Sequence, residues 1–393
     1  MSQRDHSTLP AIVVVAYNRA HSLTRVLSSL DAAHYPEGAS VPLIISIDKG
    51  DNRDVLAVAN SFEWKYGEKQ VVYQPENLGL RAHILKCGDL TEQFGSVILL
   101  EDDLYVSPQY YTFTLESLEF YGHDSRLAGI SLYNHRANVH AENLPFIPVE
   151  DGSDVFFMQM PSSWGQVWKW DWWSEFKGWL EGHMEVMAEE KISDFVRSWP
   201  KSSWLKHKIR YLVAQEKFYV YPRQSLASNF GDTGTNFADN STLYQVPLLF
   251  GARNWQFKPL AESFSVYDAF FEWHKSNAAK FLPELNGESL EFNIYGRKPL
   301  QLYSPDTHFA TLFTVDQSEL SFGLEMRPAE QNLMQRIEGD RIRIARNSHI
   351  RAANGSEEVL YKFYYQQIPL SRAVTLAKKQ LRNKLDHYVR KLN

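Results

Sequence analysis

Cysteine is almost absent from this chain of 393 residues, which contains only Cys87. A single cysteine excludes an internal disulfide framework and a metal site built from several thiolates. Long hydrophobic runs are missing as well, and none approaches the roughly 18–20 residues that span a bilayer. The first ten residues lack the apolar core and the small-residue cleavage site of a signal peptide. We therefore expect a cytoplasmic protein.

The chain has no excess of basic residues, since its formal net charge is −6. This charge argues against a general nucleic-acid-binding protein, and we expect no nucleic-acid partner. Glycine-rich phosphate loops are also missing, because neither GxGxxG nor GxxxxGK[ST] occurs. If the chain binds a nucleotide, a metal ion must therefore do the work of the backbone amides in such loops.

The most informative feature that is present is an apolar run from Val97 to Leu100, which leads directly into an acid triplet, Glu101, Asp102 and Asp103. A continuous apolar run is typical of a strand buried on both faces of a parallel sheet. Three adjacent carboxylates at its end repel one another unless a cation lies among them. Because ligands bind at the carboxyl ends of such strands, we expect a Mg²⁺ or Mn²⁺ site that holds substrate phosphates. The alternative is a solvated acidic loop.

The first half of the chain alternates strand-like and helix-like patterns. Strands are predicted at 11–16, 41–47, 70–73 and 97–100, and helices at 20–31, 51–65 and 81–93. This order predicts an α/β fold with a mainly parallel, Rossmann-like central sheet and helices on both faces. Polar residues follow three of the strands, at Arg19, at Asp48 and at the acid triplet. We expect them to lie along one edge of the sheet.

Tryptophan is concentrated in one segment, since eight of the eleven lie between Trp164 and Trp204. Such a cluster either fills a core or forms a wall on which sugar rings stack, and the sequence leaves both interpretations open. The segment 152–204 has a helical and aromatic pattern. A predicted strand at 218–222 follows, and then a polar loop at 228–236 whose glycines and hydroxyl residues suit a segment that closes over a substrate.

Three parts are predicted along the chain: a main domain at 1–265, a small β-rich accessory unit at 266–355 and a helical tail at 356–393. The tail has an apolar stripe that includes Val374 and Leu381, and it carries seven basic residues against one acidic residue. Two interpretations of this stripe remain open. It docks on an anionic membrane surface, or it packs on another part of the protein or on a second subunit.

Several segments in order resemble a known enzyme family. They are Val13–Arg19 (VVVAYNR), Ile45–Asp48 (ISID), Asn77–Leu80 (NLGL), the acid triplet, Ser163–Trp168 (SWGQVW) and Tyr221–Gly231 (YPRQSLASNFG). This pattern is similar to that of the GT-A glycosyltransferases. The nearest likeness is to the N-acetylglucosaminyltransferase I-like group and to bacterial capsule and O-antigen sugar transferases, and it covers roughly residues 10–240.

The resemblance implies roles for individual residues. Asp103 would be the direct ligand of a Mn²⁺ or Mg²⁺ cofactor, which neutralises the diphosphate as the sugar leaves. Asp48 would accept the N–H of a uracil-type base. The loop at 230–236 would flank the donor. The implied donor-binding residues are Arg19, Asp48, Arg81, Glu101 and Asp102. On the acceptor side we expect Trp164 and Trp168.

The chain departs from this family at Trp204, which is followed by Leu205 where inverting members carry an aspartate. The general base is therefore not where the family places it. The candidates in the acceptor half are Asp171, His207, Glu216 and Asp232. We favour Asp232, because it lies in the loop expected to close on the donor, and keep Asp171 beside it as a catalytic candidate.

The resemblance implies an inverting, metal-dependent glycosyltransferase of bacterial surface polysaccharide synthesis. It would move a hexosyl or N-acetylhexosaminyl group from a nucleotide sugar, with UDP-sugars favoured, to a saccharide or lipid-linked saccharide. Peripheral association with the inner face of the plasma membrane would suit a lipid-linked acceptor. One alternative is a nucleotidyltransferase of sugar phosphates, although the glycine-rich loop usual after its first strand is missing from 16–20. The other is a noncatalytic carbohydrate-binding relative.

Overall fold

The computed structural model describes residues 9–141, 143–232, 244–285, 288–351 and 368–392. These residues form two compact units. The first contains the described residues up to 285 together with 298–303, and the second contains 288–297 and the described residues from 304 onward.

The first unit alternates strands with helices. Its strands are β1 (Ala11–Ala16), β2 (Leu43–Ile47), β3 (Lys69–Tyr73), β4 (Ser96–Glu101), β5 (Leu104–Val106), β6 (Leu127–Ser131), β7 (Ala137–Asn138), β8 (Leu144–Pro145), β9 (Val155–Met158), β10 (Gln166–Lys169), β11 (Phe218–Pro222), β12 (Ala227–Asn229) and β13 (Val266–Tyr267). Its helices are α1 (Ala20–Asp31), α2 (Arg53–Ser61), α3 (Gly79–Gly88), α4 (Thr91–Phe94), α5 (Tyr110–Tyr121), α6 (Trp170–Gly182), α7 (Asp194–Ser198), α8 (Trp204–Ala214) and α9 (Ala278–Phe281).

The large sheet of this unit has the order β13–β9–β11–β6–β10–β4–β1–β2–β3. Strands β1 to β4 run parallel, and Val14 of β1 lies opposite both Ile45 and Leu100. Strand β10 runs antiparallel between β4 and β6, and β9 runs antiparallel to β11. Every residue of β1 is buried, which is the expected state of a strand covered on both faces. The predicted α/β class with a mainly parallel central sheet is confirmed.

Helices cover both faces of this sheet. Successive strand residues point to opposite sides, so the apolar strands present apolar side chains on both faces, and each face needs a covering layer. On one face, Leu23 and Leu27 of α1 join an apolar cluster with alternate residues of the strands and with residues of α5. On the other face, Ser46 Oγ of β2 is hydrogen-bonded to His83 Nε2 of α3 at 2.7 Å. The carboxyl edge of the sheet is therefore held between two packed layers.

A short antiparallel ribbon adjoins the carboxyl end of β4. In this ribbon β5 pairs with β12, with Leu104 opposite Asn229. The N–H of Phe230 then donates to the carbonyl of Asp103 at 3.0 Å. The ribbon thus brings residues 230–232 to the acid triplet. The rest of the predicted polar loop, 233–236, lies outside the described residues.

The second unit contains a separate small sheet and the terminal helix. The sheet consists of β14 (Leu290–Asn293), β15 (His308–Thr311), β16 (Leu320–Phe322) and β17 (Ile342–Arg346), in the order β14–β15–β17–β16. The helices are α10 (Glu330–Met334) and α11 (Leu370–Leu392). The predicted β-rich unit and terminal helix are confirmed. Over the described ranges, no helix is both long enough and apolar enough to cross a bilayer.

The structure differs from the sequence-based expectation in the middle of the chain. The segment 152–204 contains the buried strands β9 and β10 as well as helices, because its short apolar runs are of strand length and the many aromatic residues obscure their period. Strand β13 pairs with β9, so the first unit continues beyond residue 265 to residue 285. The division into three functional parts remains a prediction.

Candidate active site

The candidate site lies where β1, β2 and β4 end. Strand register places Val15 opposite Glu101 and Ala16 opposite Ile47, so the three carboxyl ends lie side by side. The residues that follow these strands therefore share one edge of the sheet, as the sequence predicted.

Arg19 is bound to the acid triplet through two ion pairs. Its Nη1 lies 3.0 Å from Asp103 Oδ2, and its Nη2 is paired with Asp102 Oδ1. Its backbone is fixed at the start of α1, where its carbonyl accepts the N–H of Leu23 at 3.0 Å. Asp102 also accepts a backbone N–H from Tyr17. The two aspartates are 3% and 8% exposed, so this contact is largely shielded from water.

Burial and mutual repulsion change the titration of two members of the acid triplet, Glu101 and Asp102. Burial raises the pKa of Asp102 to about 6, although the charge of Arg19 opposes this shift. Burial and the charges of Asp103 and Asp102 also raise the pKa of Glu101 above its ordinary range. Burial disfavours the charged form of Arg19, but the two aspartates outweigh this effect and raise its pKa. One guanidinium is therefore the paired cation of two of the three crowded carboxyl groups, Asp102 and Asp103.

Asp103 retains one oxygen for a ligand. Its Oδ1 is buried and has no hydrogen-bond partner among the described residues, whereas its Oδ2 is used by Arg19. A buried unpaired carboxylate oxygen is costly, and Mg²⁺ and Mn²⁺ favour oxygen ligands. Within the described ranges, no group of three or more His, Cys, Asp or Glu side chains is arranged to hold a metal. A divalent ion at Asp103 fits this donor set only if substrate oxygens complete its coordination.

Asp232 lies beside the triplet but is tied to α1. Its carboxylate is paired with the guanidinium of Arg25 and accepts the hydroxyl of Ser22 at 2.7 Å. Its own carbonyl accepts a hydrogen bond from Arg19 Nη1 at 3.3 Å. Although burial opposes it, the interactions with Arg25 and Ser22 lower the pKa of Asp232. A carboxylate that is engaged and weakly basic is poorly suited to act as a general base.

The sequence analysis missed the two partners of Asp232. Ser22 and Arg25 lie three residues apart and so share one face of α1. Arg25 also lies over the ring of Phe230, with its guanidinium carbon 3.8 Å from the ring centre. The signal available in the sequence was a serine and an arginine beside the apolar stripe of α1. Nothing in the sequence pointed to the acidic partner, which lies more than two hundred residues away.

Asp48 has a structural role that the resemblance did not indicate. Its Oδ1 accepts the backbone N–H groups of Lys49 and Leu78, at 2.9 and 2.8 Å. Its Oδ2 accepts the N–H of Gly79 at 2.9 Å. The side chain is 4% exposed, and it satisfies backbone donors at the start of α3. Its two oxygens are therefore already engaged by the protein itself.

Arg81 and His207 lie near one another, with no described contact to the acid triplet. Arg81 Nη1 donates to the carbonyl of Lys201 at 2.7 Å, which links α3 to the start of α8. Burial and the charges of Arg210 and Arg81 lower the pKa of His207 to about 4. Its Nδ1 lies 2.9 Å from Arg210 Nη1, and since a guanidinium only donates, this nitrogen accepts. The proton of the neutral ring is then on Nε2, which leaves no free basic nitrogen.

Asp171 lies at the opposite edge of the sheet from the triplet. Strand β10 is antiparallel to β4, and its last residue, Lys169, lies opposite Ser96, the first residue of β4. At about 3.3 Å per residue, the length of β4 separates Asp171 from Glu101. Asp171 is also 70% exposed and paired with Lys169 at 2.8 Å. The expectation that it acts in catalysis is therefore not supported by its position.

Glu216 also lies at this remote edge. It precedes β11, where Phe218 lies opposite Leu127, the first residue of β6. Its carboxylate is paired with Lys275 Nζ at 2.6 Å, and hydrogen bonds with His274 and Lys275 lower its pKa to about 2. The base candidates named from the sequence therefore include none that is both close to the triplet and basic.

The two predicted acceptor tryptophans have different environments. Trp164 is partly exposed and lies just before β10, at the same edge as the triplet, with Tyr133 and Tyr244 as ring neighbours. Trp168 is fully buried, is stacked on Trp173 and donates its Nε1–H to Tyr219 at 2.7 Å. Trp168 is therefore a core residue, and its burial does not support the expectation that it lines an acceptor site. The difference follows from position, since Trp168 lies within β10, a central strand, and its ring packs on Trp173 and Trp204.

Two further polar groups follow β6, one of them beside Trp164, and the sequence analysis did not identify them. Asn134 Oδ1 and His135 Nε2 are buried, and no described residue pairs with either atom. Burial and the neighbouring His140 lower the pKa of His135 to about 3, so its ring is neutral. Both residues follow β6 at the carboxyl edge of the sheet, and the ring of His135 lies 5.8 Å from that of Trp164.

No protein-family model and no curated protein matches this chain. Solved structures similar to it include TarS 1-349 from S. aureus. The two chains are 12% identical, the match covers 56% of this chain and 60% of that chain, and the TM-score is 0.36. A mannosyltransferase from Pyrobaculum calidifontis, in complex with GDP-Man and Mn²⁺, is similar at 14% sequence identity over 45% of this chain and 48% of that chain, with a TM-score of 0.31. A cytidylyltransferase from Leptospira borgpetersenii is similar at 11% sequence identity over 45% of this chain and 69% of that chain, with a TM-score of 0.26.

The match thus spans about three fifths of the length of the TarS fragment and about half of the mannosyltransferase. All of these TM-scores are below 0.5. The case for a function therefore rests on the residues of this chain.

Proposed function

We propose that the first unit is a metal-dependent glycosyltransferase that takes its sugar from a nucleotide-sugar donor. The observation that supports this most is the unpaired, buried Oδ1 of Asp103, which lies beside two further carboxyl groups at the carboxyl edge of a mainly parallel sheet. Ligands of open α/β sheets bind at this edge. A divalent ion at this oxygen would supply charge neutralisation of a leaving diphosphate.

The donor would be held by residues already gathered at this edge. Asp103 would hold the ion, while Glu101 and Asp102 would lie nearest the sugar and ribose hydroxyls, as carboxyl groups that accept hydrogen bonds. Arg19 would contribute a guanidinium, whose planar fork matches phosphate oxygens. Asp48 would support the floor of this site through its backbone hydrogen bonds. A UDP-sugar and an inverting outcome remain part of this proposal on the strength of the sequence resemblance.

The acceptor would be a saccharide of a bacterial surface polysaccharide, bound beside Trp164. Its partly exposed indole is suited to stacking on an apolar sugar face. The buried, unpaired atoms of Asn134 and His135 next to it would accept or donate hydrogen bonds to sugar hydroxyls. Asp232 and Asp171 are not assigned as the base, because one is engaged by Arg25 and the other is remote.

The function is tested by a thermal-shift screen with UDP-, GDP-, CMP- and dTDP-sugars, each with and without Mn²⁺. A ligand that binds only the folded protein raises its melting temperature. We expect one class of nucleotide sugar to stabilise the protein only when Mn²⁺ is present. Asp103→Asn should abolish that stabilisation, and Asp171→Asn, at the far edge, should retain it.

The reaction products distinguish the alternative functions. A glycosyltransferase releases a nucleoside diphosphate from a UDP-, GDP- or dTDP-sugar, or CMP from a CMP-sugar. The release is slow when the sugar is transferred to water and faster when an acceptor is present. A nucleotidyltransferase instead forms pyrophosphate from a nucleoside triphosphate and a sugar phosphate. Stabilisation without either reaction would indicate a carbohydrate-binding relative, and an Asp103→Asn variant with full turnover would contradict the metal assignment.

We further propose that α11 holds the protein at an anionic membrane surface. The described part of this helix exposes Leu370, Val374, Leu381 and Leu385, which are 44–80% accessible. Basic residues outnumber acidic ones seven to one over 371–393. Apolar burial and attraction to anionic lipid act together on such a helix, and a lipid-linked acceptor would make this location useful.

A further inference from the structure

We infer that Arg19 is a resident counter-cation of the acid triplet, which a divalent ion must displace in part before it binds. The inference rests on the proposed metal and donor site and assigns to Arg19 the control of metal affinity there. Its guanidinium contacts both Asp102 and Asp103, and it is the only basic side chain that the described residues place in an ion pair with either aspartate. Arg19 thus provides the charge compensation that a metal would otherwise provide.

The two cations compete for the same carboxylate. Asp103 presents Oδ2 to Arg19 Nη1 at 3.0 Å and keeps Oδ1 unpaired, so an ion at Oδ1 lies on the other side of a single carboxyl group from the guanidinium. Two positive charges so close repel one another strongly in a site that is shielded from water. The guanidinium cannot relieve this repulsion by losing its proton, because arginine remains charged.

A donor diphosphate would relieve the repulsion in a different way. Its oxygens are the preferred partners of a guanidinium and also of a Mg²⁺ or Mn²⁺ ion. When the diphosphate binds, Arg19 exchanges a carboxylate partner for a phosphate partner and Asp103 becomes available to the ion. Metal and donor then favour each other, and this coupling is reciprocal. Without the donor, Arg19 keeps the site closed to free cations.

The fixed backbone of Arg19 restricts this exchange to the side chain. Its carbonyl is bonded to Leu23 N as the first turn of α1 begins, and its side chain is 22% exposed. The guanidinium also donates to the carbonyl of Asp232 at 3.3 Å, so the segment after β12 lies on the same group. Release of Arg19 from Asp103 therefore requires a change of rotamer and no movement of the sheet.

The test measures binding of Mn²⁺ alone, from the free-ion signal in electron paramagnetic resonance, to the full chain. Arg19→Gln removes the charge and keeps a polar side chain, and we expect it to bind Mn²⁺ at least about tenfold more tightly than the unsubstituted protein. Arg19→Lys keeps the charge but lacks the planar fork, so its affinity should remain close to that of the original protein. Asp103→Asn should abolish binding in either background. Arg126→Gln, which removes a more exposed arginine–aspartate pair elsewhere, is the control for loss of an arginine charge.

Melting temperatures of all variants establish that they are folded. Equal or weaker Mn²⁺ binding by folded Arg19→Gln overturns the inference, and so does equally tight binding by Arg126→Gln. If Arg19→Gln does not fold, the test uses the Arg19→Lys and unsubstituted proteins. The inference predicts that both bind Mn²⁺ weakly and that UDP or GDP strengthens this binding. Tight Mn²⁺ binding without a nucleotide overturns it. If Arg19→Gln tightens Mn²⁺ binding but no nucleotide binds any variant, the inference stands and the proposed donor function fails.

Discussion

Lys208 is the residue at which burial and charge conflict most directly. It has no exposed surface, and its ammonium has no hydrogen-bond partner among the described residues. It lies among aromatic rings, with Phe176 nearest at 4.2 Å and Tyr211 at 5.2 Å. Burial, and secondarily the charge of Lys217, lowers its pKa well below the ordinary value. We therefore expect this side chain to lower the stability of the core.

Replacing Lys208 with methionine should stabilise the protein by about 1–3 kcal/mol, because an unpaired polar group is replaced by an apolar one of similar length. A folded-state pKa below the unfolded value of 10.5 means that the unfolded chain binds the extra proton. Stability of the original protein should therefore rise as the pH increases from the folded pKa towards 10.5, and Lys208→Met should lose this rise. Urea unfolding between pH 7 and 10 measures both effects. Lys201→Met, at an exposed position, should change neither, and a destabilised Lys208→Met would show that the ammonium–aromatic contacts prevail.

At the same scale, local sequence patterns reveal some residues of the candidate site and not others, for physical reasons. The acid triplet is local, since its residues follow one another directly after an apolar run, and a single segment was enough to predict it. The pair of Arg25 and Asp232 joins residues from two distant segments, which no local pattern reveals. The positions of Asp171 and Trp168 depend on the direction of β10, which is set by the tertiary fold and not by a local pattern.

At the scale of elements, the start of α3 depends on an aspartate from a different strand end. No side chain caps this helix from its own N-cap position, Leu78. Asp48 instead reaches across and accepts the N–H groups of Leu78 and Gly79. This arrangement links β2 to α3. It fixes the carboxyl edge of the sheet between the positions proposed for the nucleotide base and for the sugar of the donor.

Asp48→Ala should therefore destabilise the protein by about 1–3 kcal/mol, because buried backbone donors lose a charged acceptor. Urea unfolding measures the change, and Asp51→Ala, at an exposed position in the following loop, is the control. Nucleotide binding by the same variants distinguishes this role from base recognition. A variant of unchanged stability with a selective loss of uracil or guanine nucleotides would show that Asp48 reads the base.

The elements themselves were predicted where one period dominates the sequence. Strands β1, β2 and β4 consist mainly of apolar residues, and α1 has a clear apolar stripe with Leu23, Leu27 and Leu30 buried. The boundaries were less accurate, since the helix predicted at 81–93 is divided into α3 and α4. Strands β9 and β10 were missed because their neighbours are aromatic and tryptophan fits a helix, a strand or a core equally well.

At the scale of the whole molecule, a lipid-linked acceptor would require that the membrane and a soluble donor meet at one protein. The site at the carboxyl edge of the first unit has the features expected for the donor. The helix α11 has those expected for a membrane surface, because its exposed apolar residues are accompanied by cationic ones. Attraction to anionic lipid contributes about 1 kcal/mol for each basic residue near the surface and weakens as salt increases.

Removal of the residues after Leu370 should therefore abolish co-sedimentation with anionic liposomes, while donor binding in solution is retained. A matched variant of the full chain, Val374→Ser with Leu381→Ser and Leu385→Ser, keeps every charge and should reduce binding to the electrostatic part alone. That remainder should disappear at high salt, because exposed charges beyond a few ångströms are then screened. Neutral liposomes provide the control for lipid charge. A different result would contradict the membrane role: the full chain does not bind anionic liposomes, and its truncation changes the molecular mass of the assembly or its melting temperature. The apolar stripe of α11 would then pack on another part of the protein or on a second subunit, and not on a membrane.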